Sequence, residues 1–229
     1  MPKHGKKYVN SINMIDKTKD YTVVEAVELV KKTSNVKFDA SVDIAIKTNA
    51  NPKFNDQMLR GTTILPHGTG KTKKVAVFVS EDKLDEAKKS GADVFGSADL
   101  IADVKAGKFN FDILLTTPDS IRDLAPIAKL LWPKGMMPSP KAGTVTTDLA
   151  KSVEEVKKWK IEYKLDKTGN IHLMVWKVSF DDDKLVDNIE SVLNILEENK
   201  PAWVKWKLIR KVVLSSSMWP GVTLDYISK

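Results

Sequence analysis

The feature that most constrains this fold is a change of hydrophobic period, made twice along the chain. Up to about residue 73, and again after 160, apolar residues alternate one by one or recur at helical spacing. Between these parts they cluster in short unbroken runs, VAVFV at 75–79 and ILL at 113–115. A strand that is apolar at every position needs cover on both faces, the pattern of a parallel sheet; an alternating strand needs cover on one. The middle reads strand, helix, strand, helix, strand, helix: KVAVFVS, EDKLDEAKKSGA, DVFG, ADLIADVKAG, FDILLTTP and DSIRDLAPIAKLL, the last with Asp119 and Ser120 as cap candidates. That alternation predicts a parallel α/β block with right-handed crossovers.

The flanks differ. Residues 22–32, TVVEAVELVKK, form an amphipathic helix with Thr22 as N-cap and Glu25 three residues on. VDIAIKT at 42–48 alternates as a half-buried strand. KIEYKLDKTGNIHLMVWKVSF reads as a hairpin around DKTGN. Over 183–197, Leu185, Ile189, Val192, Leu193 and Leu196 fall on one helix face, and IRKVVLSSSM reads as a final strand. Chain termini usually lie close together. The economical fold class is therefore α/β and α+β: a discontinuous terminal α+β domain (1–66 and 160–229) with an inserted Rossmann-like α/β domain (67–159). The hinges fall at Pro66, Gly68 and Gly70, and at Trp159.

Composition excludes several chemistries. The 229 residues contain no cysteine, hence no disulfide, no Cys-held zinc or iron–sulfur cluster and no thiol nucleophile. The basic N-terminus lacks a following apolar core, and no run approaches the ~20 apolar residues of a membrane span, so a cytoplasmic protein with no membrane partner is expected. The net charge is +7, of which the two terminal parcels carry +5. A polyanion is expected there first.

No motif meets the criteria for catalysis. HGTGKT at 67–72 lacks the first glycine of a phosphate loop, since position 65 is Leu. His67 and His172 have no nucleophile beside them, and Asp181–Asp183 suit a helix N-terminus better than a metal. No enzyme activity, cofactor or metal is expected; the alternative is a nucleotide-binding α/β enzyme using the middle block. KFDASVD at 37–43 offers a cation, an aromatic and a hydroxyl that suit RNA, or else Phe38 is core. DKTGNIH is an ordinary turn or a contact. SSSM at 215–218 is a strand edge, or hydroxyls and amides for ribose and phosphate.

KFDASVD, DQMLRGTTILPHGTGK, PKGMMPSPKAGTVT, DKTGNIH and LSSSMWPGV, in that order and spacing, resemble the large-subunit ribosomal protein L-one family of bacterial type, over about residues 5 to 227. The resemblance implies a terminal domain that grips large-subunit rRNA at the base of a mobile stalk. That stalk stands near the site where deacylated tRNA leaves, and the protein is monomeric off the ribosome. It also implies repression of translation through a mimic of the rRNA site in the protein's own mRNA. By motif match, Lys37, Phe38, Ser41, Asp43, Asp166, Lys167, Thr168, Ser217, Met218 and Trp219 fall at the RNA-binding surface. The family usually has Thr at 41 and 217 and Glu at 43, swaps that keep the hydrogen-bonding group. On this resemblance Phe38 is an exposed aromatic beside RNA.

Six tryptophans depart from the pattern together. Trp132, Trp159, Trp176, Trp203, Trp206 and Trp219 each stand where the family usually has Gly. Only 11 Gly occur in 229 residues, below the usual ~7 %. The expectation is a decoding artefact, in which UGA codons read as Gly in the source appear here as Trp. The alternative is genuine Trp serving as RNA-stacking aromatics.

Overall fold

A computed structural model describes residues 5–70, 72–80, 83–158, 160–201, 204 and 207–226, with the side chains of Asn55 and Lys141 left aside. The expectations at Trp159, Trp203 and Trp206 lie outside these residues. In chain order the elements are α1 (Lys6–Asn13), α2 (Val23–Thr33), β1 (Ser41–Thr48), β2 (Arg60–Ile64), β3 (Val75–Phe78), α3 (Leu84–Lys89), β4 (Val94–Gly96), α4 (Ala98–Lys105) and β5 (Ile113–Thr116). Then come α5 (Ala128–Leu131), α6 (Leu149–Lys157), β6 (Lys160–Lys164), β7 (Asn170–Lys177), α7 (Asp182–Glu198), β8 (Ile209–Ser216) and β9 (Val222–Leu224). The chain divides into two compact units, Met1–Gly70 with Tyr163–Lys229, and Lys71–Glu162.

The first unit is built on an antiparallel sheet of order β7-β1-β8-β9. Its central strand alternates strictly: Val42, Ile44, Ile46 and Thr48 are buried, while Ser41, Asp43, Ala45 and Lys47 are half-exposed. The buried face packs on α2 and α7, which also pack on each other. Helix α2 starts in the expected capping box. The Thr22 hydroxyl accepts from the Glu25 amide (3.4 Å), and the Glu25 carboxylate accepts from the Thr22 amide (3.1 Å). Helix α7 buries all five expected apolar residues and, on the same stripe, Asn188.

Three local expectations are corrected. β6 and β7 do not pair as a hairpin ladder: β6 pairs with β2 in a two-stranded ribbon, β7 joins β1, and only a bridge from Leu165 to Ile171 spans the turn. Gly61 of β2 makes the ribbon possible, because a Cβ there would lie 2.5 Å from the Tyr163 hydroxyl of β6. IRKVVLSSSM is not the last strand; the chain turns after it and adds β9 beside β8. DSIRDLAPIAKLL is 3-10 helix from Ser120 to Ile127 and α-helix only from Ala128. Pro126 lies in the 3-10 stretch, and its ring removes an amide donor and crowds the preceding turn of an α-helix.

The second unit is a parallel sheet of order β4-β3-β5. Every residue of β3 is buried. Ala76 and Phe78 enter one core with Leu100, Val104, Leu114 and Leu124. Val75, Val77 and Val79 enter another with Ala87, Leu115, Leu149 and Val153. Neither face of this strand is open.

Candidate nucleic-acid interface

The open face of the antiparallel sheet carries Ser41, Asp43, Ala45 and Lys47 on β1. Beside them lie Ser215, Val213 and Lys211 on β8 and Met174, His172 and Asn170 on β7, the register partners of Asp43, Ala45 and Lys47. From Ser41 to Lys47 this face is ~20 Å long at ~3.3 Å per residue. The expected RNA contacts fall into two groups, one at each end of it.

At the Ser41 end, loop 36–40 presents Lys37 and Phe38, both exposed, Phe38 by 55 %. The loop is pinned. Asp39 accepts from the Ser179 amide (3.2 Å) and hydroxyl (3.0 Å), its carbonyl accepts from the Lys177 ammonium (2.8 Å), and Ala40 accepts from the Val178 amide (2.9 Å). Asp39 fixes the loop that carries Phe38 and was not among the expected site residues. Its only signal was a carboxylate next to the aromatic.

Beside this loop the chain leaves β8. The Ser217 amide donates to the Ser41 carbonyl (3.0 Å), and the Ser41 amide donates to the Ser217 hydroxyl (3.3 Å). The Ser217 hydroxyl thus ties the turn to β1, a task apart from the RNA contact expected of it. The Trp219 amide donates to the Ser216 carbonyl (3.1 Å), closing a β-turn over 216–219. Met218 is its third residue, with φ +71°, the positive-φ place of a type II turn. It is the one positive-φ residue other than glycine among the described residues, and it is 83 % exposed. A bulky residue held in the left-handed region costs ~1–3 kcal/mol, and such strain gathers at binding sites.

At the Lys47 end, Asp166 shapes the turn into β7. Its carboxylate accepts from the Thr168 amide (2.8 Å), the Thr168 hydroxyl (2.7 Å) and the Asn170 amide (2.7 Å). These bonds, the Asn170 amide foremost, hold its pKa down at about 2. Lys47 donates to the Thr168 carbonyl (2.7 Å). Gly169 follows at φ +80°, where a Cβ would meet the Ala50 carbonyl at 3.1 Å. Asp166 and Thr168 therefore build the turn, and Lys167 is exposed on it beside the exposed Thr168.

The stretch expected as a hinge has a fixed seat. The Asn188 side chain, fully buried, accepts from the His67 amide (3.1 Å) and donates to the Gly68 carbonyl (3.2 Å); His67 also meets Asp187 at 2.9 Å. Gly70, at φ +67°, packs on the Phe180 ring, which a Cβ would meet at 3.0 Å. His67 and Gly68 are thus held on α7 and Gly70 on the Phe180 ring just before it, and the first unit runs to Gly70, within the expected joint, and resumes at Tyr163, three residues after the expected bound at 160. A buried Asn in an apolar helix stripe was the signal in the sequence. HGTGKT leads toward β3, not a helix N-terminus, so it lacks the setting of a phosphate loop. Asp181 makes no cap bond and meets Lys184 at 2.7 Å, while Asp182 meets Lys31.

Three tryptophans are described. Trp132 is 77 % exposed. A bulge opposite Val42 and Asp43 turns Val175 and Trp176 inward together; Trp176 is fully buried against Phe180. The indole N–H groups of Trp176 and Trp219 are both buried without an acceptor. Such an orphan donor costs ~1–3 kcal/mol.

Among the described residues no helix is long and apolar enough to cross a membrane, and no group of three or more His, Asp or Glu side chains could hold a metal ion. The family model described as Ribosomal protein L1p/L10e family matches residues 30–220, most of the chain, and the chain belongs to that family. It is a family of structural ribosomal proteins, not of enzymes, and membership carries a structural place in the large subunit and binding to its rRNA.

Proposed function

We propose, with membership of this family as the premise, that the open sheet face of the first unit holds large-subunit rRNA at the base of the stalk. The supporting observation is the pair of exposed side chains at its Ser41 end: Phe38 on a pinned loop and Met218 in a strained turn. Pinned apolar groups beside hydroxyls and backbone amides fit RNA recognition by shape, stacking and 2′-hydroxyl contact. The ordering cost is met before binding, which favours affinity without a large charge. The Ser41 hydroxyl, half-exposed and without a partner among the described residues, is the donor we assign to ribose or phosphate. Lys37 and Lys167 are assigned to phosphates, and Asp43 to a ribose hydroxyl.

In the finer reading the stalk stands beside the tRNA exit site, the protein works in the cytoplasm and is monomeric off the ribosome, and the same surface represses its own mRNA. One surface serving both RNAs predicts competition. A stalk rRNA fragment should displace the leader of the protein's own mRNA with equal effect of Phe38→Ala on both. Filter binding with each RNA labelled in turn tests this, and independent, non-competing binding would refute the shared surface.

A further inference from the structure

We propose that a groove next to the Asp166 turn, on the first unit, takes an unpaired nucleotide of the bound RNA. The proposal rests on the RNA-binding reading of the open sheet face and extends it past the turn. The groove has a volume of about 680 Å³ and lies between loop 52–58 and residues 164–167. That is within the ~300–1,000 Å³ of sites that hold small ligands.

Its lining is divided by chemistry. Pro52, Met58 and Leu165 supply apolar surface, and Met58 is 47 % exposed. Lys53, Lys164 and Lys167 surround it, all exposed, and none has an ion-pair partner among the described residues. The one acidic group in the lining, Asp166, has its carboxylate oxygens taken by Thr168 and Asn170. Three unspent cations around an apolar slot match a planar base flanked by phosphates. Stacking accepts any base, and lysines neutralise the backbone.

The walls are built in advance. The Asn51 amide donates to Gln57 Oε1 (2.8 Å), the Lys53 amide to Asn51 Oδ1 (3.1 Å), and the Gln57 amide to the Phe54 carbonyl (3.1 Å). The opposite wall is the Asp166 turn, locked by the bonds described above. Gly169 lets the two walls approach, with Pro52 Cδ at 3.9 Å from where a Cβ would stand. An unpaired nucleotide, not a duplex, fits a slot bounded on both sides by backbone, because only a splayed base can enter.

The test is filter binding of a stalk rRNA fragment to the full chain across a salt series. The double variant Lys53→Ala/Lys164→Ala should bind several-fold more weakly, with the log–log salt slope shallower by about one per lysine removed. Met58→Ala should weaken binding with the slope unchanged. Thermal melts should match the unmodified chain, since all three side chains are exposed. With 4-thiouridine at unpaired positions, the photo-crosslink should fall on the 52–58 peptide. Unchanged affinity and slope in the double variant, or a crosslink only elsewhere, would overturn the groove. If Phe38→Ala and Met218→Ala still weaken binding in that case, the sheet-face reading stands and the groove alone is lost. If the chain with glycine at all six tryptophan positions also fails to bind the fragment, both fall.

Discussion

The two sheets of this protein solve the burial problem differently, and on the proposed reading that difference decides where RNA is met. In β3 every residue is covered, with Ala76 and Phe78 facing one core and Val75 and Val77 the other. In β1 alternate residues are covered and the rest face outward along the open sheet face. A sheet wrapped on both faces offers a partner only its ends and loops; a sheet with one bare face offers a rigid platform whose side chains are fixed by the strands beneath.

The sharpest way to break the comparison is mutation of adjacent strand residues. Ile44→Ala removes a fully buried side chain and should cost ~2–5 kcal/mol in urea unfolding. Its neighbour Ala45→Ser, on the open face, should change stability by under ~0.5 kcal/mol. In β3 both of two neighbours should hurt: Val77→Ala through a cavity and Ala76→Ser through an unpartnered hydroxyl, at ~1–3 kcal/mol. Equal tolerance along β1 and β3 would contradict the assignment of an open face.

Next in size are the effects on RNA. Phe38→Ala should cut affinity for a stalk rRNA fragment about tenfold or more, from base–aromatic stacking worth ~1–3 kcal/mol, and Met218→Ala should cut it several-fold through lost apolar contact, while melting temperatures hold. Phe95→Ala, at an exposed aromatic of the second unit, should leave affinity unchanged. The slope of log affinity on log salt should stay well below the ~9 expected of a binder neutralising ten phosphates. A third comparison is Trp219→Gly. It removes a buried, unpartnered indole N–H and opens the turn beside Met218, so RNA affinity should rise. Sequencing the gene tests the same point chemically: a UGG codon at any of the six positions makes that tryptophan genuine.

The smallest effect is acidic. The folded pKa of Asp166, about 2, lies below its ordinary value of 3.8, so its stabilising contribution is complete above the ordinary value and is lost as pH falls through about 2. Asp93 in the second unit is lowered in the same direction, chiefly by the Val75 amide. Asp166→Asn should flatten the acid limb of first-unit stability between pH 4 and 2, and Asp93→Asn that of the second. An acid limb identical to the unmodified chain would remove Asp166 from its role as turn former.

Much of this was legible in the sequence because hydrophobic period reports burial directly. SVDIAIKT and VAVF differ on the page as they differ in the fold, and Thr22 with Glu25 announced the start of α2. What stayed hidden depended on partners distant in sequence. The pairing of β6 with β2 turns on Gly61 meeting Tyr163, more than a hundred positions apart. The seat of His67 and Gly68 turns on one buried Asn188, and the pinning of Phe38 on Asp39 and Ser179. The motifs singled out Asp166, Thr168 and Ser217 as RNA contacts. They did not reveal that these residues spend their polar groups on building the turns that carry Lys167 and Met218.

The most direct test of the central claim is binding of a stalk rRNA fragment, at fixed salt, to the chain with glycine at all six tryptophan positions, with and without Phe38→Ala/Met218→Ala. The account predicts tight binding by the first, and loss of about tenfold or more in the double variant, from a base stack on Phe38 and an apolar contact by Met218, with an unchanged melting curve. Equal affinity of the two folded proteins would contradict it, and would move the RNA off the open face of the sheet.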